Sequence, residues 1–257
     1  MCRHLAYLGP PCSPAELMFD APHSLLHQSY APADMRGGGT VNADGFGLAW
    51  YGEDGAPVRY RRVSPIWADH DAPRLARSVR SGAFVAAVRN GTTGMPSLES
   101  ACAPFTGGRW LFSHNGYVTG WPDSMSALAG KLPVTDLLTL DAPTDSALLW
   151  ALLRERLLAG EDPAQAAADL TQRVERAAPG SRLNFLLTDG RIVVATAWTH
   201  ALSFRESDGA VVIASEPTGT EPGWTPVPEG HAVVARDGRA DLIPIDLPLD
   251  PERSRLS

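Results

Sequence analysis

The cysteine at position 2 is the residue of this sequence whose position most directly suggests chemistry. An initiator methionine is removed when the next side chain is small, and its removal would make Cys2 the amino terminus. One residue would then carry a thiol of pKa about 8.5 and an α-amine of pKa roughly 7.7–8.0. Near neutral pH this amine can take the thiol proton, directly or through water, and so activate the sulfur as a nucleophile. A cysteine at position 2 can equally be accidental, so this interpretation needs support from other residues.

Three other positions carry side chains that suit acyl-transfer chemistry. Arg89 ends an apolar segment, and its planar fork of donors matches a carboxylate. Asn115 and Gly116 follow another apolar segment and can supply a side-chain amide and a backbone N–H to an oxyanion. Asp145 follows Thr144 at the start of a helical pattern. Each position also has a simpler explanation: a surface arginine, an Asn-Gly turn and a helix cap.

The order of these residues resembles the class II glutamine amidotransferase family of N-terminal-nucleophile hydrolases. The segments that carry the resemblance are Cys2-Arg3, Ala87-Val88-Arg89-Asn90-Gly91-Thr92, Ser113-His114-Asn115-Gly116 and Thr144-Asp145-Ser146. The resemblance implies an αββα sandwich with Cys2 as the catalytic nucleophile. It further implies that Asn115 and Gly116 form an oxyanion hole, and that Arg89 and Asp145 bind the α-carboxylate and α-ammonium of a γ-glutamyl group.

Two further segments are similar to the same family. The family has a glycine-rich strand after a substrate-covering loop, and this strand is matched here by Asp44-Gly45-Phe46-Gly47-Leu48-Ala49-Trp50. We therefore expect the covering loop at 28–43. Ala214-Ser215-Glu216 resembles a late segment near the pocket. The H-N-G segment of the family is a turn, and we expect the same of His114-Asn115-Gly116.

Two positions depart from the family pattern and affect the expected substrate. Ala87 stands where the family more often has a histidine, and Asn90 stands where an aromatic residue follows the arginine. With a length that fits one domain, expected at 2–245, these departures favour a free-standing amidase for a γ-glutamyl compound other than glutamine. The branch of the family that the chain resembles implies a leaving amine with a trimethylammonium group, which aromatic faces can bind.

Two other functions are compatible with the same residues. The first is a glutaminase or amidotransferase subunit that supplies ammonia to a separate synthase. The second is a non-catalytic binding module on the same scaffold. Turnover of free glutamine distinguishes the first from a γ-glutamyl hydrolase, and retention of Met1 would favour the second because it blocks the amine of Cys2.

The elements that must position these residues follow from periodicity and turn signals. Apolar or alternating segments predict strands at 2–8, 46–51, 57–63, 83–89, 109–113, 183–188, 191–198, 201–206, 210–215 and 231–236. Asp-Gly pairs at 189–190, 208–209 and 237–238 predict hairpins. Helices are predicted at 145–158, capped by Thr144, and at 163–177, started by Pro163. Strands, two helices and strands again predict an α+β fold with helices covering antiparallel sheets, and the tail 246–257 is expected to be exposed.

The composition argues against several classes of protein. Lys and Arg number 22 against 29 Asp and Glu, which gives a net charge of −7 and argues against a nucleic-acid partner. No apolar run reaches about 18 residues and the first thirty residues lack a signal-peptide core, so we expect a cytoplasmic protein without a membrane segment. Three cysteines are too few for a disulfide framework and fit a reducing compartment.

Cofactor and metal motifs are also missing from the sequence. Nucleophile-elbow, phosphate-loop, dinucleotide and H-E-x-x-H patterns do not occur. His23 and His27 have helical spacing, but a third ligand is not apparent nearby, so no metal site is expected. We therefore predict no cofactor and no metal, a small γ-glutamyl molecule as the partner, and no obligate synthase partner.

Overall fold

A computed structural model describes residues 2–36, 41–92 and 94–246. Residues 37–40 of the expected covering loop at 28–43 lie outside the described residues, as does the predicted exposed tail beyond Asp246. No helix in the described ranges is long and apolar enough to cross a membrane.

The strands of the described residues form two antiparallel sheets. Their bounds are β1 Arg3–Cys12, β2 Phe46–Tyr51, β3 Pro57–Arg62, β4 Ser81–Val88, β5 Phe105–Gly107, β6 Trp110–Tyr117, β7 Arg182–Thr188, β8 Val193–Ala197, β9 Ser203–Ser207, β10 Ala210–Ala214, β11 Thr225–Pro226, β12 His231–Arg236 and β13 Arg239–Pro244. In this part of the chain one sheet has seven strands in the order β11-β9-β10-β1-β4-β2-β3, and the other has six in the order β13-β12-β8-β7-β6-β5. All strand pairs in both sheets are antiparallel.

The α-helices of the described residues cover the outer faces of these sheets. Their bounds are α1 Leu25–Gln28, α2 Ala72–Ser78, α3 Ser126–Ala129, α4 Val134–Leu138, α5 Asp145–Leu158 and α6 Pro163–Ala177. Short helical turns lie at Glu16–Asp20, Ile66–Ala68, Glu99–Ala101 and Asp123–Met125. Thr144 caps α5 by accepting a hydrogen bond from the Ala147 N–H, and Asp162 caps α6 in the same way for Gln165.

Apolar side chains fill the spaces between four layers. Between the sheets, Leu8 and Val85 of one sheet belong to the same cluster as Leu111 and Leu186 of the other. A second cluster joins the outer face of the six-stranded sheet to α5 and α6. A third joins the outer face of the seven-stranded sheet to α1 and α2. The predicted α+β class and its αββα arrangement are therefore confirmed.

The ten predicted strands and two predicted helices all correspond to observed elements, and the helix bounds agree. The three Asp-Gly pairs join β7 to β8, β9 to β10 and β12 to β13. Asp208, Gly209, Asp237 and Gly238 have positive φ, as a type I′ hairpin turn requires. The short strands β5 and β11, the strand β13 and the helices α1 to α4 were not predicted, because most of them are too short to show a period.

Two predicted strand ends are wrong. Strand β1 does not end at residue 8 but continues to Cys12, because a shift in its pairing between Leu8 and Cys12 accommodates the exposed Pro10 and Pro11. Strand β6 does not end at Ser113 but continues to Tyr117.

The segment His114-Asn115-Gly116 is therefore part of a strand and not the expected turn. Asn115 pairs with Asn184 of β7, and Gly116 pairs with Leu183. A Cβ on Gly116 would lie 1.8 Å from the carbonyl oxygen of Arg182. Glycine is needed here because β7 approaches closely, and no turn is involved.

Phe112 of β6 lies at the centre of the cluster between the six-stranded sheet and α5. Its ring centroid is 5.4 Å from that of Trp150 and 5.7 Å from that of Phe185, and its side chain is fully buried. We expect Phe112→Ala to lower the free energy of unfolding by about 3–5 kcal/mol, measured by urea titration. Leu138→Ala, at a position 80% exposed, is the control and should change it by less than about 0.5 kcal/mol. A loss at Phe112 as small as that of the control would contradict this description of the core.

Candidate active site

Cys2 lies where β1 begins, beside the end of β4. The next residue, Arg3, pairs with Val88 of β4, and the half-buried Cys2 thiol lies 3.8 Å from the carbonyl oxygen of Asn90, to which it donates. The thiol lines a narrow cleft with a volume of about 30 Å³, whose polar lining residues are Cys2, Arg89, Ser113, His114 and Ser146. The pairing of β1 with β4 is thus what brings the sulfur beside the arginine.

Arg89 follows the last residue of β4. Its backbone N–H donates to the Gly45 carbonyl at 2.7 Å, and its guanidinium donates to the carbonyl oxygens of Asp44, at 3.4 Å, and Pro96, at 3.1 Å. In the described part of the chain no carboxylate lies within ion-pair distance of this guanidinium. A positioned guanidinium without an anionic partner, in a cleft that holds a thiol, is suited to bind a carboxylate.

Asp145 is the first residue of α5 and is buried. One carboxylate oxygen accepts from the Ser146 N–H at 2.7 Å, and the other accepts from the Val118 N–H at 3.0 Å. The helix N-terminus stabilises this negative charge. Oδ1 also lies 3.3 Å from the Ser146 hydroxyl, whereas the Val118 N–H is the one donor to Oδ2 among the described residues, so Oδ2 can still accept from an ammonium group. Asp145 lines a neighbouring cleft with Thr92 and Tyr117.

Asn115 lies beneath the start of β1 and does not line the cleft with Cys2. It is buried, and its Nδ2 donates to the Ser215 hydroxyl at 3.3 Å. The Ser215 hydroxyl also accepts from the His4 N–H at 3.0 Å, while Asn115 Oδ1 has no hydrogen-bond partner among the described residues. An oxyanion role for Asn115 therefore requires its amide to exchange Ser215 for a substrate oxygen, which the length of this hydrogen bond favours.

Two buried histidines lie near the thiol: His114 lines the cleft, and His4 follows Cys2 by two residues on β1. Nε2 of His114 lies 2.8 Å from the Arg182 carbonyl, so it carries the proton, and Nδ1 accepts from the Ser146 hydroxyl at 2.9 Å. Burial lowers the pKa of His114, although the charge of Asp145 opposes this. Burial, with the nearby His114, His200 and Arg3, lowers the pKa of His4 to about 3. Neither ring hydrogen-bonds the Cys2 thiol in the described structure.

A buried ion pair connects the start of β1 to the segment before residue 37. The Glu216 carboxylate accepts from Arg3 Nε at 2.6 Å, from His23 at 2.7 Å and from the Ala33 N–H at 2.7 Å. Burial raises the pKa of Glu216, but these donors outweigh it and hold the pKa below its usual range. Arg3 also donates to the carbonyl oxygens of Cys2, at 3.0 Å, and Asp34.

Sequence reasoning left several of these residues without a role. The sequence places Ser215 and Glu216 in a late segment that resembles the family, and it places Arg3 next to Cys2, but it indicates no role for any of the three. His23 and His27 have their Nδ1 atoms 3.0 Å apart, but the described residues contain no group of three His, Cys, Asp or Glu side chains that could hold a metal. The role of Glu216 depends on its ion pair with Arg3, which is distant in the chain. A single sequence does not show which distant charges pair.

The positions expected from the sequence are thus brought together to different degrees. Cys2 and Arg89 share one cleft, which Ala87 also lines where the family has a histidine. Asp145 lies beside that cleft through its neighbour Ser146. Asn115 is connected to the start of β1 by hydrogen bonds: its amide donates to the Ser215 hydroxyl, which also accepts from the His4 N–H. Gly116 contacts β7 and lies in the strand.

Sequence comparison with known proteins identifies the family that the sequence motifs resemble. Residues 16–205 match the family described as glutamine amidotransferases class-II. The chain is 39% identical over 245 residues to a γ-glutamyl-hercynylcysteine sulfoxide hydrolase of Mycolicibacterium smegmatis, with 95% of this chain and 100% of that protein covered. It is 38% identical to a protein of the same name from Mycobacterium tuberculosis, with 96% and 97% covered.

Solved structures agree with the fold. A class-II domain protein from Silicibacter pomeroyi superposes with a TM-score of 0.68 at 25% identity, over 96% of this chain and 100% of that chain. A glutamine phosphoribosylpyrophosphate amidotransferase from Bacillus subtilis has the same TM-score at 14% identity, over 96% of this chain and 50% of the other. This second likeness concerns the fold alone.

The burial of His4 makes the free energy of unfolding depend on pH. The pKa of His4 is about 3 in the fold against 6.5 in a model peptide, so between these values the unfolded chain binds one more proton. The stability due to neutral His4 is fully present above pH 6.5 and is lost as the pH falls toward 3.

We expect His4→Gln to reduce the slope of unfolding free energy against pH by about 1.4 kcal/mol per pH unit between about pH 5.5 and 4. Urea titrations at several pH values measure this slope. His70→Gln, on the surface, is the control and should keep the slope of the unmodified protein. Equal slopes for His4→Gln and His70→Gln would show that His4 is not held neutral by burial.

Proposed function

We propose that this protein, which belongs to the class II glutamine amidotransferase family, is an amidohydrolase of ergothioneine biosynthesis. Its substrate is γ-glutamyl-hercynylcysteine sulfoxide, and its products are glutamate and hercynylcysteine sulfoxide. The observation that carries the proposal is that one cleft holds a thiol and a guanidinium that forms no ion pair with any described residue. The relatives with this printed activity, which are 38–39% identical over 95–96% of the chain, support the choice of substrate.

Cys2 is the nucleophile in this proposal, after removal of Met1. Its α-amine takes the thiol proton, and the thiolate attacks the γ-carbonyl carbon of the substrate. The tetrahedral intermediate collapses as the C–N bond breaks, and the amine of Cys2 passes the proton to the departing nitrogen. Water then hydrolyses the γ-glutamyl thioester, which releases glutamate and restores the thiol. The choice of the amine as the base is supported by geometry, because neither the His4 ring nor the His114 ring hydrogen-bonds the Cys2 thiol in the described structure.

Arg89 and Asp145 hold the glutamyl half. The guanidinium binds the α-carboxylate, and the carboxylate of Asp145 binds the α-ammonium. Support comes from two charged groups of opposite sign that line neighbouring clefts and form no ion pair with any described residue. Two fixed charges orient the substrate along one direction, so its γ-carbonyl points at Cys2.

Asn115 and Gly116 form the oxyanion hole in this proposal. The Asn115 amide turns from the Ser215 hydroxyl to the developing negative oxygen, and the backbone N–H of Gly116 is the second donor. One such donor contributes roughly 2.7–4 kcal/mol to the stabilisation of a transition state. Residues 2–245 work as one catalytic domain in the cytoplasm, on a small molecule and without a synthase partner. No cofactor or metal enters the reaction.

The nucleophile is tested by substitution of Cys2. We expect Cys2→Ala to abolish glutamate release from the γ-glutamyl conjugate, because no thioester can form, while Cys12→Ala, at another half-buried cysteine, keeps the activity. The assay quantifies glutamate, and intact-mass measurement establishes whether Met1 is absent. Glutamate release by Cys2→Ala would contradict the mechanism. Turnover of free glutamine as efficient as that of the conjugate would instead favour the ammonia-supplying function.

The ammonium-binding role is tested at Asp145. Asp145→Asn removes the negative charge. Its single amide oxygen can still accept from one of the two N–H groups, of Ser146 and Val118, that donate to the Asp145 carboxylate. We expect a loss of about 1.5–3 kcal/mol of substrate binding, seen as a KM about 10- to 100-fold higher. An analogue whose glutamyl half lacks the α-amino group should show no such rise. Asp241→Asn, on the exposed face of β13, is the matched control, and an equal rise for both analogues would refute the assignment.

A further inference from the structure

A second and larger cavity lies beside the start of β1. It has a volume of about 870 Å³ and is lined by residues from the segments 22–23, 33–36, 200–203, 215–220 and 226–229. Its lining shares no residue with the cleft of Cys2 and Arg89 or with the neighbouring cleft of Asp145. The catalytic scheme above does not use this cavity.

The first residues of β1 and their buried hydrogen-bond partners lie between the cavity and the clefts. Ser215 lines the cavity, and its hydroxyl hydrogen-bonds both the His4 backbone and the Asn115 amide. Glu216 also lines it and holds Arg3, which donates to the Cys2 carbonyl. An amide substrate has two halves, one on each side of the carbonyl that Cys2 attacks. If the glutamyl half occupies the clefts, the amine half extends on the side of this cavity.

The charges of the cavity wall favour a cation. Of the three lining carboxylates, Asp34 pairs with Arg36 at 2.6 Å and Glu216 pairs with Arg3 at 2.6 Å. Glu229 accepts a hydrogen bond from the Thr199 N–H at 2.8 Å but forms no ion pair with any described residue. The wall therefore presents three carboxylates and one guanidinium, that of Arg36, which pairs with Asp34 and is also influenced by the charge of Glu229. Glu229 is the lining carboxylate without a direct ion pair among the described residues.

The cavity wall contains no aromatic cage. None of its described lining residues is Trp, Tyr or Phe. The expectation that aromatic faces hold the trimethylammonium group finds no counterpart at this wall. The lining contains a half-exposed methionine, Met35, whose polarisable side chain can pack against N-methyl groups.

His200 gives a second and independent indication of a ligand. It lines the cavity with only 4% of its surface exposed, and its Nε2 has no hydrogen-bond partner among the described residues. Burial, with the charges of Arg182 and Arg3, lowers its pKa to about 3, so the ring is neutral and can donate one N–H. A buried polar atom left unpaired costs free energy, which a ligand with a matching polar atom recovers.

The backbone before His200 is strained in a way that sets the position of this ring. Thr199 has a φ of 73°, which a β-branched residue rarely adopts. The Glu229 carboxylate holds it by accepting from its N–H, and the Thr199 hydroxyl donates to the Ser181 carbonyl at 3.3 Å. Strain of this kind persists where the surrounding contacts support it, and it concentrates at functional sites.

We infer that this cavity binds the amine half of the γ-glutamyl conjugate, an amino-acid derivative with a fixed positive charge. The Glu229 carboxylate and the Met35 side chain receive the quaternary ammonium group, and His200 hydrogen-bonds a polar oxygen of the same half. This inference rests on the proposed function. It makes Glu229 a specificity-determining residue that recognises charge without aromatic rings.

The test compares two conjugates that differ only in charge. One is the γ-glutamyl conjugate with its trimethylammonium group, and the other replaces that group by the neutral isostere tert-butyl. We expect the unmodified protein to have a lower KM for the charged conjugate, and Glu229→Gln to raise that KM about fivefold, the upper range for an exposed charge pair. The KM for the tert-butyl conjugate and any turnover of free glutamine should not change. Gln keeps an acceptor for the Thr199 N–H, and Glu53→Gln, in the exposed turn after β2, is the matched control.

A second variant tests the cavity by volume. Ala201→Trp should raise the KM of both conjugates but not that of glutamine, which has no large amine half. Calorimetry with hercynylcysteine sulfoxide alone measures binding without catalysis, and Glu229→Gln should weaken it about fivefold.

The outcomes separate the two claims. Binding of hercynylcysteine sulfoxide that depends on Glu229, without glutamate release from any γ-glutamyl compound, would overturn the proposed function and support the subsite. If Glu229→Gln changes the KM for glutamate release equally for both conjugates, or changes neither KM, the subsite is overturned and the proposed function stands. Absence of hercynylcysteine sulfoxide binding to the unmodified protein would also overturn it.

Discussion

The buried ion pair between Arg3 and Glu216 joins the parts of the protein that must meet at Cys2. Arg3 follows Cys2 directly, and Glu216 follows the end of β10, so the pair fixes two neighbouring strands of one sheet at their ends. The same carboxylate holds His23 and the backbone of Ala33. Removing one member of such a pair leaves an uncompensated buried charge, which typically costs about 3–5 kcal/mol. The position of the thiol therefore depends on residues more than 200 positions apart.

The sandwich supplies the candidate site from the ends of its layers. Cys2 and Arg89 come from neighbouring strands of one sheet, Asn115 comes from the other sheet, and Asp145 begins a helix that covers it. A continuous apolar cluster packs the two sheets against each other. Because such a core is densely packed, it resists small movements of one sheet relative to the other, and so keeps the strand ends in place. The cleft that holds the Cys2 thiol and the larger cavity have separate linings, with the first residues of β1 and their partners between them.

Much of the fold could be predicted from local signals. The helices at 145–158 and 163–177 have caps and apolar periods that act within a few residues, and the Asp-Gly hairpins depend only on backbone preferences. Prediction was wrong where a distant segment overrode the local preference. Asn115-Gly116 favours a turn in isolation, but pairing with β7 draws it into a strand. The prolines after Leu8 suggest a strand end, but a shift in register lets β1 continue past them.

The sequence alone determined which residue types were available for chemistry and their order along the chain: a cysteine at position 2, an arginine, an Asn-Gly pair and an aspartate. It also determined the local elements that carry them, because capping, periodicity and turn preferences act over short distances. Only the tertiary structure decided that Glu216 holds Arg3 and that Asn115 contacts Ser215. It also placed Glu229 and His200, whose Nε2 has no hydrogen-bond partner among the described residues, in the wall of a separate cavity. These relations join residues far apart in the chain, and burial and charge pairing between such residues exist only after the layers have packed.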